Sequence, residues 1–276
     1  SMGRAGYWLG RAHRAAGNEE EAARAFALGA QYQSSFYGQL AAEAGGLPAD
    51  PAFLADEDYG PWRNASFTGS SVFLAALLLY EADERNLAER FLTHLTESLS
   101  RVEAGQLGDF ALDLGNPHIA LRIAKRAAQN GHEIMRAYYP VADFARADLP
   151  IDAALALSIA RRESEFDPGV TSGAGAMGLM QVMPGTGRDT AGALGIDYSQ
   201  SRLLSDPDYN LLLGATYIEG LIDRFDGNLV LVSIGYNAGP RRASDWIERF
   251  GDPREAEDIV FWIEALPFTE TRNYVM

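Results

Sequence analysis

A carboxyl group set on the apolar stripe of a helix is well placed for acid chemistry, and Glu163 has that setting. Residues 152–165 read as a helix, with Asp152 as its N-cap shortly after Pro150. Leu155 and Ile159 lie four residues apart on its apolar face, and the same step reaches Glu163. That residue falls in the last turn, ahead of Phe166 and the helix-breaking pair Asp167-Pro168. Desolvation raises a carboxyl pKa, and the negative end of the helix dipole does the same. A general acid working near neutral pH needs such surroundings. Taken alone, a helix like this more often holds a glutamate at the rim of the core, bonded to arginine or backbone.

Other chemistries are narrowed by what the chain lacks. It has no cysteine, which removes disulfides, thiolate nucleophiles and cysteine-ligated zinc. His13, His94, His118 and His132 all precede residue 133, so a Ser-His triad confined to the second half is excluded. Their wide spacing points to ordinary structural roles. The net charge is −15, and both halves are acidic. Neither carries the concentrated positive charge that a phosphate backbone requires, so nucleic acid is not expected as a partner. A polysaccharide, read by hydrogen bonds and stacking, is compatible with this balance. The longest apolar run, residues 72–80, is far short of the roughly 20 residues of a membrane span, and no transmembrane segment is expected. Ser1-Met2-Gly3 reads as an expression remnant, and no signal peptide is visible.

The elements around Glu163 form a helical series. Residues 4–17 and the stretch after Asn18, which offers a cap backed by Glu19, Glu20 and Glu21, suggest a helical hairpin. In it Tyr7, Trp8 and Ala12 face Ala22, Ala23 and Phe26. Residues 35–45 give a third helix, followed by a break at Pro48, Pro51 and Pro61. Residues 71–82 are nearly all apolar and are expected to be buried; Leu87, Phe91, Leu95 and Leu99 make one stripe of the next helix. Pro117 opens a helix running to Asn130 and closed by Gly131. Beyond Leu149-Pro150 the character changes, with eight glycines in residues 169–195. Strand-like alternation is scarce. The expected fold is all-α: a helical-repeat fragment and linker over 1–147, then a second helical domain over 148–276.

Four ordered segments carry a resemblance: Arg-Arg-Glu-Ser-Glu-Phe-Asp-Pro (161–168), Gly-Ala-Met-Gly-Leu-Met-Gln-Val-Met-Pro (175–184), Gly-Tyr-Asn-Ala-Gly (235–239) and Leu-Pro-Phe-Thr-Glu-Thr-Arg-Asn-Tyr-Val (266–275). Together they resemble the soluble lytic transglycosylases, whose catalytic domain is related to goose-type lysozyme. Tyr7-Trp8-Leu9-Gly10 and Ser35-Phe36-Tyr37-Gly38 are similar, more weakly, to the helical superhelix and linker of the large soluble members. Ile234-Gly235 stands where the family more often has Ala-Ala, a conservative departure.

The resemblance implies a lysozyme-like α-domain that cleaves the β-1,4 bond between N-acetylmuramic acid and N-acetylglucosamine and leaves 1,6-anhydro ends. It implies Glu163 as acid and base, with no metal or organic cofactor. Ser164 would lie beside the scissile sugar and bond a carboxyl or acetamide oxygen, Met180 and Gln181 would line the cleft, Tyr236 would stack or bond near Glu163, Asn237 would hold its loop, and Glu270 would border the site. For Ser164 a backbone bond, for Met180 the core, and for Glu270 an ion pair with Arg272 or another arginine are the plainer alternatives. Peptidoglycan strands in the periplasm are the implied substrate, with cell-wall synthesis or division proteins as candidate partners. Two rivals stay open: a lysozyme-type hydrolase, and a non-catalytic glycan- or protein-binding scaffold.

Overall fold

The computed structural model describes residues 1–53, 57–146 and 148–276. It is all-α among these residues apart from two isolated antiparallel bridges, Thr171 to Met177 and Met177 to Val182. The chain divides into two compact units, Ser1–Asp58 and Tyr59–Met276. The expected boundary at 147/148 falls on Ala147, which lies outside the described residues.

In the first unit α1 (Met2–Ala15), α2 (Glu19–Gly29) and α3 (Phe36–Ala44) pack together. Tyr7 and Phe26 meet as expected, with ring centroids 6.5 Å apart. Asn18 stands at the N-cap of α2, but its side chain makes no capping bond. Ser35 does cap α3, accepting from the Gly38 N–H at 3.2 Å.

The second unit opens with α4 (Ser71–Glu81), α5 (Arg85–Leu95), α6 (Arg101–Asp113), α7 (Pro117–Gln129) and the short α8 (Met135–Tyr138). Leu92, Leu107, Phe110, Ile119, Ile123 and Ile134 anchor one core cluster drawn entirely from residues 59–137. Local sequence sets the helix starts. Ser100 and Glu103 form a capping box on α6, and Asn116 accepts from Ile119 N ahead of Pro117 at the first turn of α7. Two expectations need correction. Helix α4 is not buried: only Phe73 and Ala76 are, while Leu74 is 50% and Leu78 66% exposed. It meets the core cluster through Val72, Phe73, Ala76, Leu77 and Tyr80, and a sequence apolar all round does not say which face does so. Helix α5 ends at Leu95 and buries Ala88, Leu92 and Leu95, leaving Leu87 and Phe91 exposed and Leu99 beyond its end.

The rest of this unit comprises α9 (Ala153–Ser164), α10 (Pro184–Leu194), α11 (Arg202–Ser205), α12 (Pro207–Arg224), α13 (Leu229–Ala238), α14 (Pro240–Phe250), α15 (Ile259–Glu264) and α16 (Thr269–Val275). Helix α12 is central, packing against α10, α11 and α13 and burying Leu211, Leu213, Ile218 and Leu221. Helix α13 continues to α14 and α16. No helix among the described residues is long and apolar enough to cross a membrane.

Candidate active site

Asp152 caps α9 as expected, its carboxylate accepting from Ala154 N at 2.8 Å. The helix runs to Ser164, which puts Glu163 in its final turn, half-buried beyond the buried Ile159. One oxygen of Glu163, Oε1, accepts a 2.7 Å hydrogen bond from the Tyr274 hydroxyl on α16. Burial is the largest influence on this carboxyl and pushes its pKa up; the nearby Glu270 charge adds to it. The Tyr274 bond and the Arg162 charge oppose the rise without cancelling it. Tyr274 remains a neutral donor, its own pKa driven up by burial and by the charge of Glu163.

The segment 178–181 is a tight turn held from three helices. From α9, the buried Ser164 hydroxyl donates to Leu179 O at 2.7 Å. From α12, Asn210, fully buried, accepts from Met180 N at 2.7 Å and donates to Met177 O and Leu203 O. From α13, the Tyr236 hydroxyl donates to Met180 O at 2.6 Å. Gly178 is required here: at φ 76°, an added Cβ would stand 2.1 Å from Leu203 O. The glycine thus lets backbone approach backbone.

These bonds revise several expected roles. Ser164 makes the backbone bonds of the plainer alternative, its hydroxyl facing Leu179 O at 2.7 Å and Ala160 O at 3.2 Å. Met180 is wholly buried and belongs to the core, while Met183 is 43% exposed. Gln181 keeps a place on the surface of a pocket of about 200 Å³ that Met183, Tyr217, Tyr236 and Asn237 also line. Its backbone is left-handed at φ 49°, and its amide nitrogen donates to Gly178 O and Val170 O. Its amide oxygen is the group left for a ligand among the described residues. Tyr236 lies beside Tyr217, rings 5.7 Å apart, and its hydroxyl pKa is pushed well up by burial and then by the charge of Glu163. Asn237 accepts from Thr271 at 2.7 Å and so ties α13 to α16, which carries Tyr274. Glu270 is exposed; Arg272 pairs with Glu264 at 3.8 Å instead.

The two carboxylates near Glu163 in sequence have partners of their own. Glu165 is bound by Arg122 at 3.1 Å and by Lys125, and Asp167 accepts from Gly169 N at 2.8 Å in its own turn. Among the described residues no group of three or more His, Asp or Glu is arranged to hold a metal. Sequence reasoning missed Tyr274, Asn210 and Tyr217. A lone amide between the apolar residues of α12 was a usable signal for Asn210, of the same kind that marked Glu163.

Residues 141–259 match the family described as the Transglycosylase SLT domain. The chain is 34% identical over 196 residues to the soluble lytic murein transglycosylase of Escherichia coli strain K12, which covers 69% of this chain and 30% of that protein. It superposes on the crystal structure of the 70-kDa soluble lytic transglycosylase from Escherichia coli with a TM-score of 0.78 and 28% identity, over 98% of this chain and 43% of that one. An inactive mutant of a lytic transglycosylase from Pseudomonas aeruginosa gives a TM-score of 0.75, also at 28% identity, over 99% of this chain and 44% of that one. The chain therefore spans less than half the length of these relatives.

Proposed function

We propose that this chain, whose residues 141–259 match the transglycosylase SLT domain family, is a peptidoglycan lytic transglycosylase with Glu163 as its acid and base. The observation that carries the reading is a half-buried carboxyl in the last turn of α9, its pKa raised by burial and one of its oxygens gripped by Tyr274. Tyr274 holds Oε1, so Oε2 is the atom left to give the proton. Glu163 protonates the departing glycosidic oxygen of the β-1,4 bond, and the 2-acetamido oxygen of the muramoyl residue stabilises C1. Glu163, now a carboxylate, takes the proton of the muramoyl O6, which closes onto C1. Proton and leaving group balance, and no water is consumed.

In this reading Gln181 offers its amide oxygen to an N-acetyl N–H, and Tyr236 and Tyr217 supply aromatic faces to sugar rings. Glu270 borders the site and helps keep Glu163 protonated. Ser164, Met180 and Asn237 act as the frame. The substrate sets the working place in the periplasm, with cell-wall synthesis or division proteins as candidate partners. We also propose that the functional division lies at 147/148; the separate core cluster of residues 59–137 supports it.

Glu163→Gln tests the assignment, since it keeps size and removes the transferable proton. Turnover of purified peptidoglycan should fall by about 10²-fold or more with glycan binding retained. A variant keeping a tenth of wild-type turnover would rule Glu163 out as the acid.

A further inference from the structure

Two consecutive non-glycine residues directly after the catalytic helix turn left-handed: Glu165 at φ 53° and Phe166 at φ 66°. Such a conformation costs about 1–3 kcal/mol per residue and persists only where its surroundings hold it. Phe166 is held by burial, at 3% exposure, 6.2 Å from Phe144. Glu165 is held by α7. His118, Arg122 and Lys125 lie on one face of that helix, four and three residues apart. The His118 Nδ1–H donates to Glu165 O at 2.8 Å, since a carbonyl only accepts. Arg122 and Lys125 bind one carboxylate oxygen each. Glu89 of α5 braces the set, accepting from Arg122 Nε at 2.8 Å and lying 3.4 Å from His118 Nε2. Burial would raise the Glu165 carboxyl, but the bonds and charges of Lys125 and Arg122 outweigh it and keep it ionised.

We propose that His118, Arg122 and Lys125 are positioning residues for Glu163, clamping the left-handed turn that begins one residue past Ser164 and so fixing the last turn of α9. The helices before residue 147 then set the turnover rate of a site they do not line. This rests on the reading of Glu163 as the acid.

The test uses the full chain with purified peptidoglycan. Arg122→Ala/Lys125→Ala should lower kcat by about tenfold with KM within about twofold, the pattern of a displaced catalytic group. Adding Glu165→Gly should restore kcat to within about threefold, because glycine takes this φ without a clamp. Glu165→Ala in the same background also removes the orphaned carboxylate but keeps a Cβ at this φ, so it should not restore kcat, and recovery by alanine as full as by glycine would overturn the proposal. An unchanged kcat in the double variant, an effect on KM alone, or a loss that glycine does not recover would overturn the proposal. Should the double variant not fold, Lys125→Ala with and without Glu165→Gly carries the same comparison. Amide exchange at Phe166 and Asp167, whose N–H groups close the turn onto Ala160 O and Ser164 O, needs no substrate. It should be faster without the clamp, and unchanged exchange would overturn the clamp. Absence of turnover by the wild-type chain would instead overturn the reading of the reaction, while the exchange comparison still judges the clamp.

Discussion

Removing the Tyr274 hydroxyl should move the pH profile in a direction that the geometry fixes. The phenol donates to Glu163 at 2.7 Å, and a hydrogen bond to an ionised acceptor is worth about 1.5–3 kcal/mol. Glu163 is only half-buried, so solvent screening argues for the lower end, and about 1.4 kcal/mol corresponds to one pH unit. The bond stabilises the carboxylate, so it lowers a pKa that burial has raised; its deletion raises that pKa further. The free enzyme must present a protonated Glu163, and kcat/KM falls as pH rises through that group's pKa. In Tyr274→Phe the alkaline fall should therefore lie about one pH unit higher than in the wild type. The low-pH plateau should drop by roughly tenfold, because the carboxyl loses the group that orients it. Initial rates of fragment release from purified peptidoglycan across the pH range read both effects, and circular dichroism checks that the fold is kept. An alkaline fall at the wild-type pH, or below it, would refute the claim that Tyr274 bonds the ionised acid.

Glu163→Gln should also change stability with a defined sign. A carboxyl raised on folding contributes stability that is full below its ordinary value of 4.5 and is lost as pH rises through the folded value. The variant should then melt above the wild type at neutral pH, with the gap closing in acid; a wild type that melts higher at neutral pH would contradict the desolvation of Glu163. Asn210→Ala strips partners from Met180 N, Met177 O and Leu203 O in a fully buried site, at a cost of about 3–5 kcal/mol. Its melting temperature should fall by roughly 10 °C, and a fall within a degree or so would mean the turn does not depend on that amide.

Much of the catalytic helix was legible because its signals are local. The Asp152 cap, the four-residue step to Glu163 and the break at Asp167-Pro168 all lie within one segment, and burial raises Glu163 as that step implied. Pro117 and Gly131 likewise bound α7. What arrives from elsewhere in the chain was not legible. Tyr274 reaches Glu163 across 111 residues, and no periodicity in either helix names the other. Ser164 and Met180 sit in matching motifs, yet a motif does not distinguish a residue that touches sugar from one that braces the turn. The three methionines at 177, 180 and 183 look alike in sequence, and only packing separates the buried Met180 from the exposed Met183. Helix α4 failed for the opposite reason: apolar on every side, it carries no period to say which face is covered.

The chemistry of the fragment ends tests the account most directly. A glycosidase that delivers water typically uses a second carboxyl group about 5–9.5 Å from the acid. Here Glu165 is held by Arg122 and Lys125, Asp167 is closed in its own turn, and Glu270 is exposed beside the site. Purified peptidoglycan digested with the wild-type chain should give fragments ending in 1,6-anhydro-N-acetylmuramic acid, each lighter by one water than its hydrolytic counterpart in a mass spectrum. Fragments ending mainly in reducible N-acetylmuramic acid would contradict the account and make the chain a lysozyme-type hydrolase.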